Sequence, residues 1–237
     1  MTIAVLEQLR KEFEPLVGLR IDWLSLPRQA LLGFEPSQMA VIANTLLDAA
    51  LPMIELFSSD PENAARLKQI GLSKAPGQIG ERESYPDYVH KSGKRVELKG
   101  LFVDNPSLDL KRPPTRREPS ARLKENVTMQ DVDPANDILL VAAVRLEDVN
   151  GRCCPVIIDI ELFPMVDCIE ARDARLRVAG GRWFGRTPRV VSVPGRAKAH
   201  QGTLLTDADF EKDTNFGKLK RIPYPPLQAF MKKHGAI

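Results

Sequence analysis

Between residues 71 and 80 the hydrophobic pattern of this chain changes period, and that change limits the fold more than any other feature of its 237 residues. Before it, Leu6, Leu9, Phe13 and Leu16 recur every three or four positions, the spacing that keeps side chains on one face of a helix. Pro36-Ser37 opens a second such run through Met39, Ile42, Leu46 and Leu47 toward Leu56. Pro52 should kink or divide it, because its ring cannot continue a helix. Asp60-Pro61-Glu62 has the form of a helix start, with Asp60 as cap and Pro61 in the first turn, and Gly71 supplies the stop. After the Gly- and Pro-containing linker 71–80, alternation takes over. Residues 85–90 and 94–103 read as two strands joined by Lys91-Ser92-Gly93. Residues 138–146 and 155–160 are apolar runs of the kind that fill a sheet interior. A helix is expected over about 163–178, with Val166, Ile169 and Leu176 on one face.

Helices followed by strands and a further helix predict an α/β (α+β) fold, with a central mixed sheet flanked by helices. A chain of this length, 43% hydrophobic and 27% charged, can bury one substantial core, so one domain spanning 1–237 is expected. Within it, 1–70 is a helical N-terminal region, 80–178 the core and 179–237 a basic loop and C-terminal region. The stretch 104–136 is polar and proline-rich, improbable as packed core and expected as a mobile or ligand-ordered loop. Residues 180–202 are rich in Gly, Pro and Arg, with a short strand at 189–193, and Pro223, Pro225 and Pro226 break the C-terminus before a last short helix. No apolar run is long enough to cross a bilayer, and the first fifteen residues carry acids where a secretory signal needs basic and then apolar ones, so no membrane association and a cytoplasmic location are expected. Three cysteines, two adjacent at Cys153 and Cys154, form neither an even-numbered disulfide framework nor a zinc spacing and read as reduced, buried thiols.

The net charge of +3 is unevenly distributed. Residues 111–124 hold Lys111, Arg112, Arg116, Arg117, Arg122 and Lys124 against Glu118 alone. Residues 172–198 hold a second basic cluster, including Arg172, Arg182 and Arg186, while acids outnumber bases over 1–70. Such segregation suits a polyanion-binding face on an acidic body, the alternative being basic loops that are merely solvated. Arg side chains match the paired acceptors of guanine, so Arg116, Arg117, Arg182 and Arg186 are candidates for base contact, and Trp183 lies among them.

The chemistry is concentrated in Tyr85-Pro86-Asp87-Tyr88-Val89-His90-Lys91-Ser92-Gly93-Lys94-Arg95-Val96-Glu97-Leu98-Lys99-Gly100. Alternate side chains of a strand share a face, so Arg95, Glu97 and Lys99 point one way while Val96 and Leu98 enter the core. Whether Asp87 joins that row depends on the turn. A two-residue turn at Ser92-Gly93 sets Asp87 opposite Leu98. A three-residue loop, with Gly93 left-handed, pairs 90 with 94 and 87 with 97. Directly opposed residues lie roughly 4.5–5.5 Å apart at Cβ, close enough for two carboxylates to hold one divalent cation. Such an ion acidifies water, and Lys99 could position or deprotonate the attacking water and neutralise the transition state. His90 would face away from Asp87 and is expected to pack or to contact DNA rather than catalyse.

Pro86-Asp87 on one strand and Glu97-Leu98-Lys99 on the next resemble the PD-(D/E)xK nuclease superfamily, and specifically its type II restriction endonuclease-like members. The resemblance implies a restriction-endonuclease-like core, with Asp87, Glu97 and Lys99 catalytic, Asp87, Glu97 and the Leu98 carbonyl as Mg²⁺ ligands, and Mn²⁺ able to substitute. An additional acid from a preceding helix, used by some members, would be Glu55 or else Glu83. The triplet Asp109-Leu110-Lys111 is a rival, disfavoured by Pro106 and Pro113 on either side. The implied activity is sequence-specific hydrolysis of double-stranded DNA by a homodimer, a palindromic site presenting two equivalent halves. A repair, mismatch or junction nuclease of the same superfamily and a non-catalytic DNA-binding domain are the alternatives. No Gly-rich phosphate loop, paired metal-spacing histidines or nucleophilic serine motif occurs, which argues against a nucleotide cofactor, a zinc hydrolase or an esterase.

Overall fold

A computed structural model describes residues 1–21, 25–34, 36–51, 53, 56, 60–76, 85–108, 121–123, 127–178 and 217–237. Helix α1 (Ile3–Phe13) is capped by Thr2, whose hydroxyl accepts from the Val5 amide, and runs into a 3₁₀ turn at Glu14–Leu16. A two-residue strand β1 (Leu26–Pro27) and a single helical turn α2 (Arg28–Leu31) follow. Helix α3 (Pro36–Ala50) ends before Pro52, and α4 (Pro61–Ile70) begins on Asp60, whose carboxylate accepts from the Glu62 amide at 3.0 Å. Both limits agree with the sequence reading. Then come β2 (Leu72–Lys74), β3 (Tyr88–His90), β4 (Arg95–Val103), β5 (Asp137–Val149), β6 (Arg152–Pro164), α5 (Met165–Val178) and α6 (Pro225–Lys233).

The six strands form one mixed sheet in the order β1-β6-β5-β4-β3-β2, in which only the β4–β5 pair is parallel. Parity along β4 and β5 sorts side chains between two cores. Val96 and Leu98 join Ile138, Leu140, Ala142 and Val144 on the face covered by α1, α3 and α4. Leu101 joins Leu139, Val141 and Ala143 on the face covered by α5 and α6, against Met165, Ile169, Leu227 and Met231. The run at 138–144 is buried on both sides, as an interior strand must be, and each such aliphatic side chain contributes about 1.5–3 kcal/mol.

Several expectations need correction. The region 1–70 is not wholly helical: Leu26–Pro27 pairs with β6, and Arg20 bridges Val156. Part of the expected linker is edge strand β2, paired with β3. The polar stretch 104–136 is not all outside the core, since Leu108, Leu123, Val127 and Val132 are buried. Apolar residues at intervals within a polar sequence anchor it without giving it a regular period. The short last helix expected after the proline breaks is α6, and it begins on Pro225 and Pro226 themselves, because the first helical turn has no use for their missing amides. All three cysteines are free and buried, as expected. Among the described residues no helix is long and apolar enough to cross a membrane.

Candidate active site

The turn decides the site. The His90 amide donates to the Lys94 carbonyl at 2.8 Å, the Gly93 amide closes on the His90 carbonyl at 2.8 Å, and Gly93 sits at φ 80°. A side chain at Gly93 would make that left-handed conformation costly. The loop therefore has three residues, Tyr88 faces Val96, and the same register carries Asp87 opposite Glu97. The ladder of β3 begins one residue later, so Asp87 is fixed by other bonds. Its Oδ2 accepts from the Leu98 amide at 2.8 Å, and its carbonyl accepts from the Ala75 amide at 3.2 Å.

Lys99 lies on the same face. Its Nζ is 2.5 Å from Glu97 Oε1, 2.9 Å from the Leu98 carbonyl and 3.8 Å from Asp87 Oδ2. Three oxygens, from the very residues named as ligands by resemblance, thus surround one positive centre. The Glu97 side chain is 6% exposed, that of Lys99 15% and that of Asp87 26%, so the group opens outward from Glu97. The β5 partners of Glu97 and Lys99 are Leu139 and Val141, both fully buried, which gives the charged row an apolar neighbour. Charges beside such a surface are less screened than in open water.

The donor set fits a hard divalent ion. Two carboxylates and a backbone carbonyl are oxygen ligands of the kind Mg²⁺ takes when it retains several waters. The Lys99 ammonium lies against the Glu97 and Leu98 oxygens and farther from Asp87. Among the described residues no group of three or more His, Cys, Asp or Glu side chains could hold a metal, so any ion here depends on two acids plus main chain.

Beside this group lies a second polar cluster. Asp137 at the start of β5 is buried to a side-chain exposure of 0% and receives Arg95 through Nε at 2.5 Å and a second guanidinium nitrogen. It also accepts from the Tyr85 hydroxyl and, at 2.9 Å, from the Asp133 amide. Burial, reinforced by Asp137, pushes the Tyr85 hydroxyl far above its usual range and keeps it a donor, and the hydrogen bond with Asp137 raises Arg95 further. Arg95 belonged to the charged row expected from alternation. Asp137 was missed, because which strand lies parallel to β4 leaves no local signal.

On the opposite face, Tyr88 is fully buried with its hydroxyl held between Asp48 of α3 and Lys74 of β2, the Lys74 ammonium also lying 4.3 Å from the ring centre. This pins α3 and β2 behind the site. His90 faces away from Asp87, as expected. It packs against Phe13 at a tilt, with ring centres 5.5 Å apart, and burial lowers its imidazole below the usual histidine range, which suits packing. Gly100, next to Lys99, is required by a close approach, since a Cβ there would fall 1.9 Å from Asn44 Oδ1 of α3.

The remaining candidates divide. Glu55, Glu83, the triplet Asp109-Leu110-Lys111, Lys111, Arg112, Arg116, Arg117, Lys124, Arg182, Trp183, Arg186 and the strand expected at 189–193 lie outside the described residues. Arg122 is half-buried and its backbone bridges Lys218. Arg172, counted in the second basic cluster, is buried at 2% exposure, donating to the Val127 carbonyl at 2.8 Å and to Asp173. It is removed from any polyanion-binding face, since it ties α5 to 127–136 instead. No family model matches the chain, and no curated protein or solved structure matches it significantly.

Proposed function

We propose that this protein is a Mg²⁺-dependent endonuclease of restriction type that hydrolyses phosphodiester bonds of double-stranded DNA at specific sequences. The observation that carries the reading is the convergence of Asp87, Glu97, the Leu98 carbonyl and Lys99 on one side of the β3–β4 ribbon. Asp87 and Glu97, with the Leu98 carbonyl, would hold the ion. Its contribution when bound is to acidify water and to offset charge that develops on the phosphoryl oxygens. Lys99 orients the attacking water and neutralises the pentacovalent phosphorus. Attack forms a new phosphorus–oxygen bond and breaks the bond to the 3′ oxygen, which takes up a proton, leaving 5′-phosphate and 3′-hydroxyl ends.

The basic sequences at 111–124 and 179–198 would supply phosphate and base contacts, and a homodimer would meet the symmetry of a palindromic site. The helices-then-hairpin order and the mixed sheet around β4 and β5 support a restriction-endonuclease-like core. A plasmid of known sequence, incubated with Mg²⁺ or Mn²⁺ and sequenced at its ends, tests the reading. Discrete cuts at a recurring sequence are expected. Cutting confined to branched or mismatched DNA would instead make the protein a repair nuclease, and uncut plasmid with persistent gel-shift binding would make it a DNA-binding domain.

A further inference from the structure

We infer that Lys99 and the divalent cation are alternative occupants of one oxygen cradle, so that the ion loads only as the ammonium leaves it for the phosphodiester. This rests on the nuclease reading above and concerns how its site is regulated. The Lys99 ammonium is a compact point charge with three donors, and it is already within 2.9 Å of two of the proposed ligand oxygens and 3.8 Å of the third. A divalent ion would bind those oxygens at roughly 2.0–2.6 Å, so it would sit closer to Asp87 than Nζ does now yet too near the present Nζ position for both to be accommodated. Two cations so close would repel, so one must yield. The lysine can, because its four-carbon stem is flexible and its side chain is more exposed than that of Glu97.

The exchange changes the sign of the site. Counted over Asp87, Glu97 and Lys99 alone, the formal charge is −1. With a divalent ion in the cradle and the ammonium kept at the rim, the same groups carry +1. A phosphodiester then gives the displaced Lys99 a new anionic partner, so DNA and metal strengthen each other's binding, as linkage requires. In the metal-free protein Lys99 holds the two acids together and keeps the site closed to weakly bound cations.

The test is Mn²⁺ binding to the full chain without DNA, followed by electron paramagnetic resonance, for the wild type and for Lys99→Met and Lys99→Gln. Loss of the resident ammonium is expected to tighten Mn²⁺ binding roughly tenfold or more, because the ion then no longer competes with Lys99 for the oxygens of Glu97, Leu98 and Asp87. Equal or weaker Mn²⁺ binding by both variants, with binding still lost in Asp87→Asn and Glu97→Gln, overturns the exchange and leaves the metal site standing. Absence of saturable Mn²⁺ binding in every form overturns the nuclease reading with it. Should both Lys99 variants be unfolded without metal, recovery of their circular dichroism on adding Mn²⁺ supports the exchange, and failure to recover counts against it.

Discussion

Two ionic clusters stand next to each other on the same face of β4, and they are built on opposite principles. Around Asp137 one carboxylate is met by a guanidinium through two nitrogens, a phenol hydroxyl and a backbone amide. Around Lys99 two carboxylates share one ammonium. The first cluster satisfies its charge completely inside the fold, which is what a buried ion pair needs if it is not to destabilise its surroundings. The second gathers two carboxylates on one amine in a group that opens outward through Asp87, whose side chain is 26% exposed.

That contrast is most directly broken by removing one charge from each side. Replacing Asp87, Glu97 or Lys99 by Asn, Gln or Met is expected to lower the cleavage rate by on the order of 10³-fold or more, with melting temperature little changed for the two acid variants. If any of the three variants cuts plasmid at the wild-type rate, that residue leaves the site. Replacing Arg95 by Met should do the reverse. It strands the Asp137 carboxylate in the interior, at a cost of about 3–5 kcal/mol in urea unfolding. A loss below 1 kcal/mol would mean that Asp137 is solvated despite its burial.

The contrast also divides what could be read from the sequence. The hairpin was legible from Lys91-Ser92-Gly93, but its register was open, since a two-residue turn at Ser92-Gly93 uses the same glycine. The His90–Lys94 hydrogen bond fixes the three-residue loop and sets Asp87 opposite Glu97. Capping by Asp60 and the limits of α3 and α4 were likewise legible from local residues. The partnership of Arg95 with Asp137 was not, since 41 residues separate them and parallel neighbours need no turn between them. Nor was the anchoring of 104–136 through Leu108, Leu123, Val127 and Val132. One signal was present and unused: Asn150-Gly151, both at positive φ, is the turn that joins β5 to β6, and it would have lengthened both strands to their observed ends. Arg172 misled because charge along a sequence does not tell which way a helical residue points.

A smaller effect sharpens the link between the site and the helix behind it. Gly100→Ala would drive a methyl against Asn44 Oδ1 at 1.9 Å and Cγ at 2.7 Å, so the whole amide must move. A loss of about 1–3 kcal/mol is expected, as for other overpacked positions. Adding Asn44→Ala should restore most of it, and a double variant as unstable as the single one would show that the clash lies elsewhere.

The smallest change tests whether the complete cluster really is structural. Tyr85→Phe deletes only the hydroxyl that donates to Asp137 and leaves the ring lying 5.3 Å from the Arg95 guanidinium. Asp137 keeps Arg95 and the Asp133 amide, so its charge remains compensated and only one charge-assisted hydrogen bond is lost, worth about 1.5–3 kcal/mol at most. Because Tyr85 stands two residues before Asp87, the same variant reports whether the two clusters are coupled. If they are independent, Mn²⁺ affinity at Asp87 and Glu97 stays within about twofold of the wild type while the urea midpoint falls. A drop in Mn²⁺ affinity with an unchanged midpoint would reverse the assignment, making the phenol a positioning group for Asp87 and the boundary between the clusters a functional one.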